Sequence, residues 1–191
     1  MTYTISNTIT NWLLKHGAIK PDELELYNYA VFNILHTFIP LIIVVIIGFF
    51  SNLSVECLLL LTPFLLLRKY CGGFHAKTQF RCIVFTIITQ VVFMLIGYSF
   101  NSPYVFLLIL LISTTTICIL SPLNPEKRKL TLKDIKRCKK KSIQFAFSLA
   151  FICIIMLLFR YEYYSFFVGS GVMMVAFMQY LCILTKTGKK K

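Results

Sequence analysis

The chain has 191 residues, of which 58% are hydrophobic and only 14% are charged, whereas soluble domains are typically about 45–50% apolar and about 25% charged. Because the apolar residues occur in runs too long for a soluble core, we predict one all-α polytopic membrane domain over residues 1–191. The net charge of +13 does not indicate nucleic-acid binding, since the basic residues lie between the apolar runs, where they meet lipid headgroups.

The first predicted element is an amphipathic helix over residues 5–15, within an N-terminal segment 1–28. Its apolar side chains, among them Ile5, Ile9 and Trp12, recur at the spacing of one helix face. Two interpretations fit this pattern equally well. The helix lies in the membrane interface with Trp12 at headgroup depth, or it packs on the cytoplasmic face of the protein.

About six membrane-spanning helices are predicted to follow. Their ranges are 30–50, 54–67, 82–99, 104–121, 142–159 and 164–184. The second is short: at a rise of about 1.5 Å per residue it covers only ~21 Å of a hydrocarbon core about 30 Å thick. It is therefore either partly re-entrant or dips into a functional site. Pro40 predicts a kink in the first span.

The distribution of basic residues predicts the orientation of these spans. Lys and Arg are concentrated in the segment 68–82, in the loop 122–141 and in the C-terminal tail. Six alternating spans put all three segments on one side, and positive residues mark the cytoplasmic side of a membrane protein. We therefore expect both termini and the segment 68–82 to face the cytoplasm.

The segment 68–82 holds the candidate catalytic residues. Cys82 is the candidate nucleophile, and His75 is the only base close to it in the sequence. Cys82 also begins the third predicted span, where helix N-terminal amides favour a thiolate and can hold an oxyanion. Nearby positive charge lowers the pKa of a thiol. Four basic side chains supply that charge: Arg68, Lys69, Lys77 and Arg81.

The spacing of His75 and Cys82 restricts the backbone between them. On one continuous helix they would be ~10.5 Å apart along the axis. A hydrogen-bonded catalytic pair needs only about 2.6–3.2 Å between its heavy atoms. We therefore predict a break in the helix at or after Gly72 and Gly73, since glycine permits a sharp change of direction.

Several alternatives stay open from the residues alone. The segment could be a solvated loop without catalysis, Cys71 could be the nucleophile, or Cys71, His75 and Cys82 could bind a metal ion. The four cations oppose a metal site, so no metal is predicted. Weaker candidates elsewhere are His36 in the first span, Glu56 at the outer end of the second, and Gln79 or Gln90 as a partner for the histidine.

A transporter and a non-enzymatic scaffold are the rival functional classes. A transporter needs polar or charged groups inside its spans, and this chain offers few. They are His36, Thr62, Gln90, residues 113–116 and Gln179.

The segment resembles the signature of the AgrB family, which are bacterial membrane cysteine endopeptidases of peptide quorum-sensing systems. The family pattern is an Arg, a Gly-Gly pair, a His-Ala pair and a Cys seven residues after the His. Here these residues are Arg68, Gly72, Gly73, His75, Ala76 and Cys82. The segment 122–130 is similar to a second family feature.

The resemblance implies that Cys82 attacks a carbonyl of an AgrD-type precursor peptide and releases its acidic C-terminal tail. An internal Cys or Ser of the peptide then attacks the resulting thioester and closes a thiolactone or lactone ring. His75 would act first as base and then as acid, and Arg68 would hold a carboxylate or orient the loop. The resemblance also implies a homodimer in a bacterial cell membrane, without a cofactor. We expect Lys139, Lys140 and Lys141 to attract the acidic tail.

Overall fold

The computed structural model of the chain describes residues 2–72, 79–123 and 132–187, and within these ranges it is all-α. The predicted fold class is therefore confirmed. The helices are α1 (Thr2–Lys15), α2 (Leu24–Phe50), α3 (Ser54–Cys71), α4 (Gln79–Ser99), α5 (Pro103–Leu120), α6 (Leu132–Leu158) and α7 (Glu162–Thr187). Proline begins both α5 and the 3₁₀ turn at Pro21–Glu23 before α2, because its fixed φ suits a first helical turn.

Each predicted span coincides with one of the helices α2 to α7. Among the described residues, four stretches are long and apolar enough to cross a membrane: Phe80–Ser99, Pro103–Leu120, Leu132–Leu158 and Glu162–Thr185. α2 contributes a shorter apolar stretch, Phe38–Phe50, and α3 is not among the four. The chain is thus a helical membrane protein, and the number of six spans stays a prediction.

Two helices extend further than the spans predicted from the sequence. α6 begins at Leu132 and not near residue 142, so residues 132–141 of the predicted basic loop are helical. Lys and Arg are good helix formers, and charge alone does not end a helix. In the same way α3 continues to Cys71, which puts Arg68 in the last turn of a helix.

α7 is the central helix of the bundle. Of its most apolar stretch 72% is buried inside the protein, compared with 22–33% in α4, α5 and α6. Two glycines of α7 allow this close packing, since Phe106 of α5 lies against Gly169 and the Leu60 carbonyl of α3 lies against Gly171. Small residues at helix contacts are typical of membrane bundles, where van der Waals packing holds the helices together.

α1 packs its polar side on α2 and leaves its apolar side outside. Ser6 and Thr10 are buried, and the Ser6 hydroxyl donates a hydrogen bond to the Asn28 side chain. Ile9 and Trp12 face outward, with Trp12 57% exposed. An apolar face directed away from the protein is stable in lipid, so this arrangement favours the membrane-interface interpretation of α1.

Candidate active site

Two helix ends form the described part of the predicted catalytic segment. Arg68 lies in the last turn of α3, half-buried, with its guanidinium carbon 5.6 Å from the centroid of the Phe64 ring. Cys82 lies in the first turn of α4. Three predicted site residues lie outside the described residues: Gly73, His75 and Lys77. The pairing of the histidine with the cysteine therefore stays a prediction.

Cys82 is enclosed by the protein, with 7% of its surface exposed. Its backbone carbonyl accepts a hydrogen bond of 2.8 Å from the Thr86 hydroxyl. Thr89 and Phe93 continue the same buried side of α4, because residues seven and eleven positions along a helix share a face. The neighbouring Arg81 is exposed, so the two adjacent side chains leave the helix in different directions. A thiol in this first turn is close to the positive end of the helix dipole.

Gly72 ends α3 in a conformation that favours glycine. Its φ is 73° and its ψ is −156°, a combination that other residues rarely adopt. A Cβ atom built on this residue would lie 2.6 Å from the carbonyl oxygen of Leu123. Conformation and space therefore both require glycine, and the predicted break in the helix is present at this residue.

The segment that follows α5 is bound to the end of α3. The Leu123 N–H donates a hydrogen bond of 2.9 Å to the Cys71 carbonyl. Two residues earlier, the buried Ser121 hydroxyl accepts a hydrogen bond of 2.8 Å from Nε2 of Gln179 in α7. Residues 121–123 thus join α7 to the helix end that leads into the predicted site. No sequence pattern connects residues 121–123 with the end of α3. The only signal for Gln179 in the sequence is an amide inside an apolar helix.

An aromatic and cationic cluster links the end of α3 to the first part of α6. The ring of Tyr70 stacks on that of Phe145 with centroids 5.4 Å apart. The Nζ atoms of Lys141 and Lys69 lie 5.3 Å and 5.8 Å from the Tyr70 ring centroid, within the ~6 Å range of cation–π attraction. Lys141 of α6 therefore adjoins the helix end that precedes Gly72.

The rival candidates occupy less suitable positions. Cys71 is fully buried at the C-terminal end of α3, where the helix dipole disfavours an anion. Glu56 lies in the first turn of α3, at the opposite end from Arg68, and is a hydrogen-bonding partner of Tyr163 in α7. This placement agrees with the expectation that Glu56 is remote from the site.

The predicted polar partners of the histidine are only partly described. Gln90 is fully buried in α4, and among the described residues neither its Nε2 nor its Oε1 has a hydrogen-bond partner. His36 lies in α2 and Gln79 begins α4, but their side chains lie outside the described part of the structure. Within the described ranges, no three His, Cys, Asp or Glu side chains are grouped to hold a metal ion.

Known proteins resemble the chain over most of its length. The family model for Accessory gene regulator B matches residues 6–183. An AgrB-like protein of Clostridium perfringens strain SM101 is 28% identical over 150 residues, which are 74% of this chain and 70% of that protein. Accessory gene regulator protein B of Staphylococcus intermedius is 32% identical over 128 residues, or 66% of this chain and 65% of that protein. The protein of the same name from Staphylococcus aureus strain Newman is 28% identical over 116 residues, or 60% and 61%. No solved structure matches the chain.

Proposed function

The chain belongs to the accessory gene regulator B family, and from this we infer that it is a cysteine endopeptidase acting on an AgrD-type precursor peptide. Membership of this family supports a role in the accessory gene regulator quorum-sensing system. One observation carries the finer proposal. The helix that follows the break at Gly72 carries a buried thiol, Cys82, in its first turn, beside the backbone amides at the start of that helix.

In the first proposed step the Cys82 thiolate attacks the scissile carbonyl carbon of the peptide. Amides at the start of α4 are suited to hold the oxyanion that forms. The C–N bond then breaks, and His75 gives the leaving amine the proton that it took from the thiol. The acidic tail departs, and the rest of the peptide stays bound to Cys82 as a thioester.

In the second step an internal Cys or Ser of the peptide attacks the thioester carbonyl. The ring closes as a thiolactone or lactone, and Cys82 leaves as the thiol. Water competes with this attack, because hydrolysis of the thioester would give a linear product. The low exposure of Cys82 supports cyclisation, since an enclosed site keeps water away from a reactive intermediate.

The basic surface beside the site fits an acidic peptide tail. Lys69 and Lys141 both lie against Tyr70, two residues before Gly72. The sequence predicts that residues 139–141 attract the acidic tail. Of these, Lys141 lies beside Tyr70, and we propose that it binds the tail together with Lys69. Arg68, one residue further back in α3, is half-buried and suited to hold a carboxylate or to orient the following loop.

Substitution of two cysteines tests the proposed nucleophile. The chain is reconstituted in vesicles with a synthetic AgrD-type peptide, and tail release and the thioester on the protein are followed by mass spectrometry. We expect Cys82→Ala to insert normally but to abolish both signals. The matched control Cys71→Ala removes the rival thiol and keeps them. If Cys82→Ala still releases the tail, Cys82 is not the nucleophile. If even the unaltered chain releases no tail, a non-enzymatic scaffold is favoured.

We also propose a homodimer in the bacterial cell membrane, with the catalytic segment on the cytoplasmic side. The resemblance supports the dimer, and the basic residues of α6 support the orientation. Cys138, half-exposed in the basic part of α6, tests the orientation in a variant without the other cysteines. A membrane-impermeant thiol reagent should label it only in opened cells, and labelling in intact cells would reverse the orientation.

A further inference from the structure

An apolar groove runs between α5 and α6 on the outside of the bundle. Its volume is about 370 Å³, within the roughly 300–1,000 Å³ of typical small-ligand sites. Side chains that line it include Leu107, Leu111 and Thr114 of α5 and Phe147, Phe151 and Ile154 of α6. The Thr114 hydroxyl donates a 2.8 Å hydrogen bond to the Leu110 carbonyl of its own helix. The groove therefore suits an apolar occupant.

The face of α6 that lines this groove is basic where the helix leaves the membrane. Lys133, Lys140, Phe147 and Ile154 follow one another at seven-residue intervals, so they share one side of the helix. Lys136, one turn before Lys140, lies on the same side. All five side chains are exposed. Lys141, which meets Tyr70, points about 100° away from Lys140, so the site for the acidic tail uses another face.

The spacing along this face matches one leaflet of a membrane. Lys140 and Ile154 are fourteen positions apart in α6, which at about 1.5 Å per residue is ~21 Å along the axis. Half of a bilayer, including its headgroups, is also about 20–22 Å thick. A molecule with an anionic head at Lys140 and an apolar tail would thus reach the far end of the groove.

We propose that this face binds an anionic phospholipid, with its phosphate at Lys136 and Lys140 and an acyl chain in the groove. A second copy of the chain fits the face less well. In a two-fold symmetric contact the same surface meets itself, and the lysines of two copies would then repel each other. An uncharged lipid would fill the groove without using the lysines.

Lipid retention by the purified full-length chain tests this proposal. Phosphatidylglycerol and phosphatidylcholine with identical acyl chains are added in equal amounts in mild detergent, and bound lipid is counted by native mass spectrometry. We expect a preference for phosphatidylglycerol of roughly 25-fold, since each lysine near an anionic headgroup contributes about fivefold. Lys136→Gln with Lys140→Gln should abolish the preference. The control, Lys15→Gln with Lys20→Gln, removes two exposed charges outside α6 and should keep it.

A second variant tests the apolar half of the site. Ala150 is half-buried in the wall of the groove, and Ala150→Phe should reduce retention of both lipids while the lysines remain. Equal retention of the two lipids by the unaltered chain would overturn the proposal, as would full preference in the double lysine variant. If Ala150→Phe instead converts a dimer to a monomer and leaves lipid retention unchanged, the groove is a contact between copies.

Discussion

Replacement of Gly72 by alanine is the sharpest test of how the predicted site is held. The backbone at this residue has φ 73° and ψ −156°, which costs a side-chain-bearing residue about 1–3 kcal/mol. The new methyl would also lie 2.6 Å from the Leu123 carbonyl oxygen. To relieve this contact, Leu123, whose N–H donates to the Cys71 carbonyl, must move. Overpacking of this kind costs about 1–3 kcal/mol. Gly72→Ala should therefore destabilise the protein by roughly 2–6 kcal/mol.

The effect is measured as the free energy of unfolding in mixed detergent and as the rate of tail release in vesicles. Gly17→Ala is the matched control. Gly17 also has a positive φ of 67°, but no atom lies within 4 Å of a Cβ built on it. It should therefore lose only a backbone contribution of about 1–2 kcal/mol, and tail release should be unchanged.

Two results would refute this reasoning about Gly72. If Gly72→Ala and Gly17→Ala lower the free energy of unfolding equally, the contact with Leu123 has no energetic consequence. If Gly72→Ala releases the tail at the normal rate, the geometry of this helix end does not control the site. A large loss of tail release with little loss of stability would instead mean that the loop moves while the bundle stays folded.

Three further sets of substitutions probe the surroundings of the site. Gly171→Ala puts a methyl against a carbonyl of α3 and should destabilise the bundle by about 1–3 kcal/mol in detergent unfolding; unchanged stability would contradict the close packing of α7. Gln179→Leu should lower the free energy of unfolding in detergent by ~0.6–1.7 kcal/mol, the range for hydrogen bonds in membranes, and should slow tail release, and Ser121→Ala should add nothing to either effect. Lys69→Gln with Lys141→Gln should weaken binding of an acidic precursor measured at low salt, but not of a precursor with a neutralised tail; equal weakening of both would exclude the tail interaction.

Local sequence patterns were sufficient to predict the helices but not the contacts between them. The glycine pair predicted the break that is present at Gly72, and the apolar runs predicted every helix from α2 to α7. The start of α6 was wrong because its lysines were interpreted as a loop. The hydrogen bonds from Leu123 to Cys71 and from Gln179 to Ser121 join residues about fifty or more positions apart. Their partners are chosen by the packing of the helices, which no local pattern encodes.

The candidate site could be predicted only in part from local sequence patterns. The position of Cys82 in a first helical turn followed from the length of the apolar run after it. The placement of Lys141 beside Tyr70 did not, because it depends on how α3 and α6 lie against each other. The role of His75 stays a prediction.

The central place of α7 has a consequence for how the protein is made. Chains are synthesised from the N-terminus at about 5–20 residues per second, so α7 emerges after every helix that packs around it. Until then Phe106 and the Leu60 carbonyl lack the glycines that receive them, and Ser121 lacks Gln179. The helix around which the others pack is therefore synthesised after them, and the hydrogen bond from Gln179 to Ser121, beside the end of α3, forms only when those helices already lie in the bilayer.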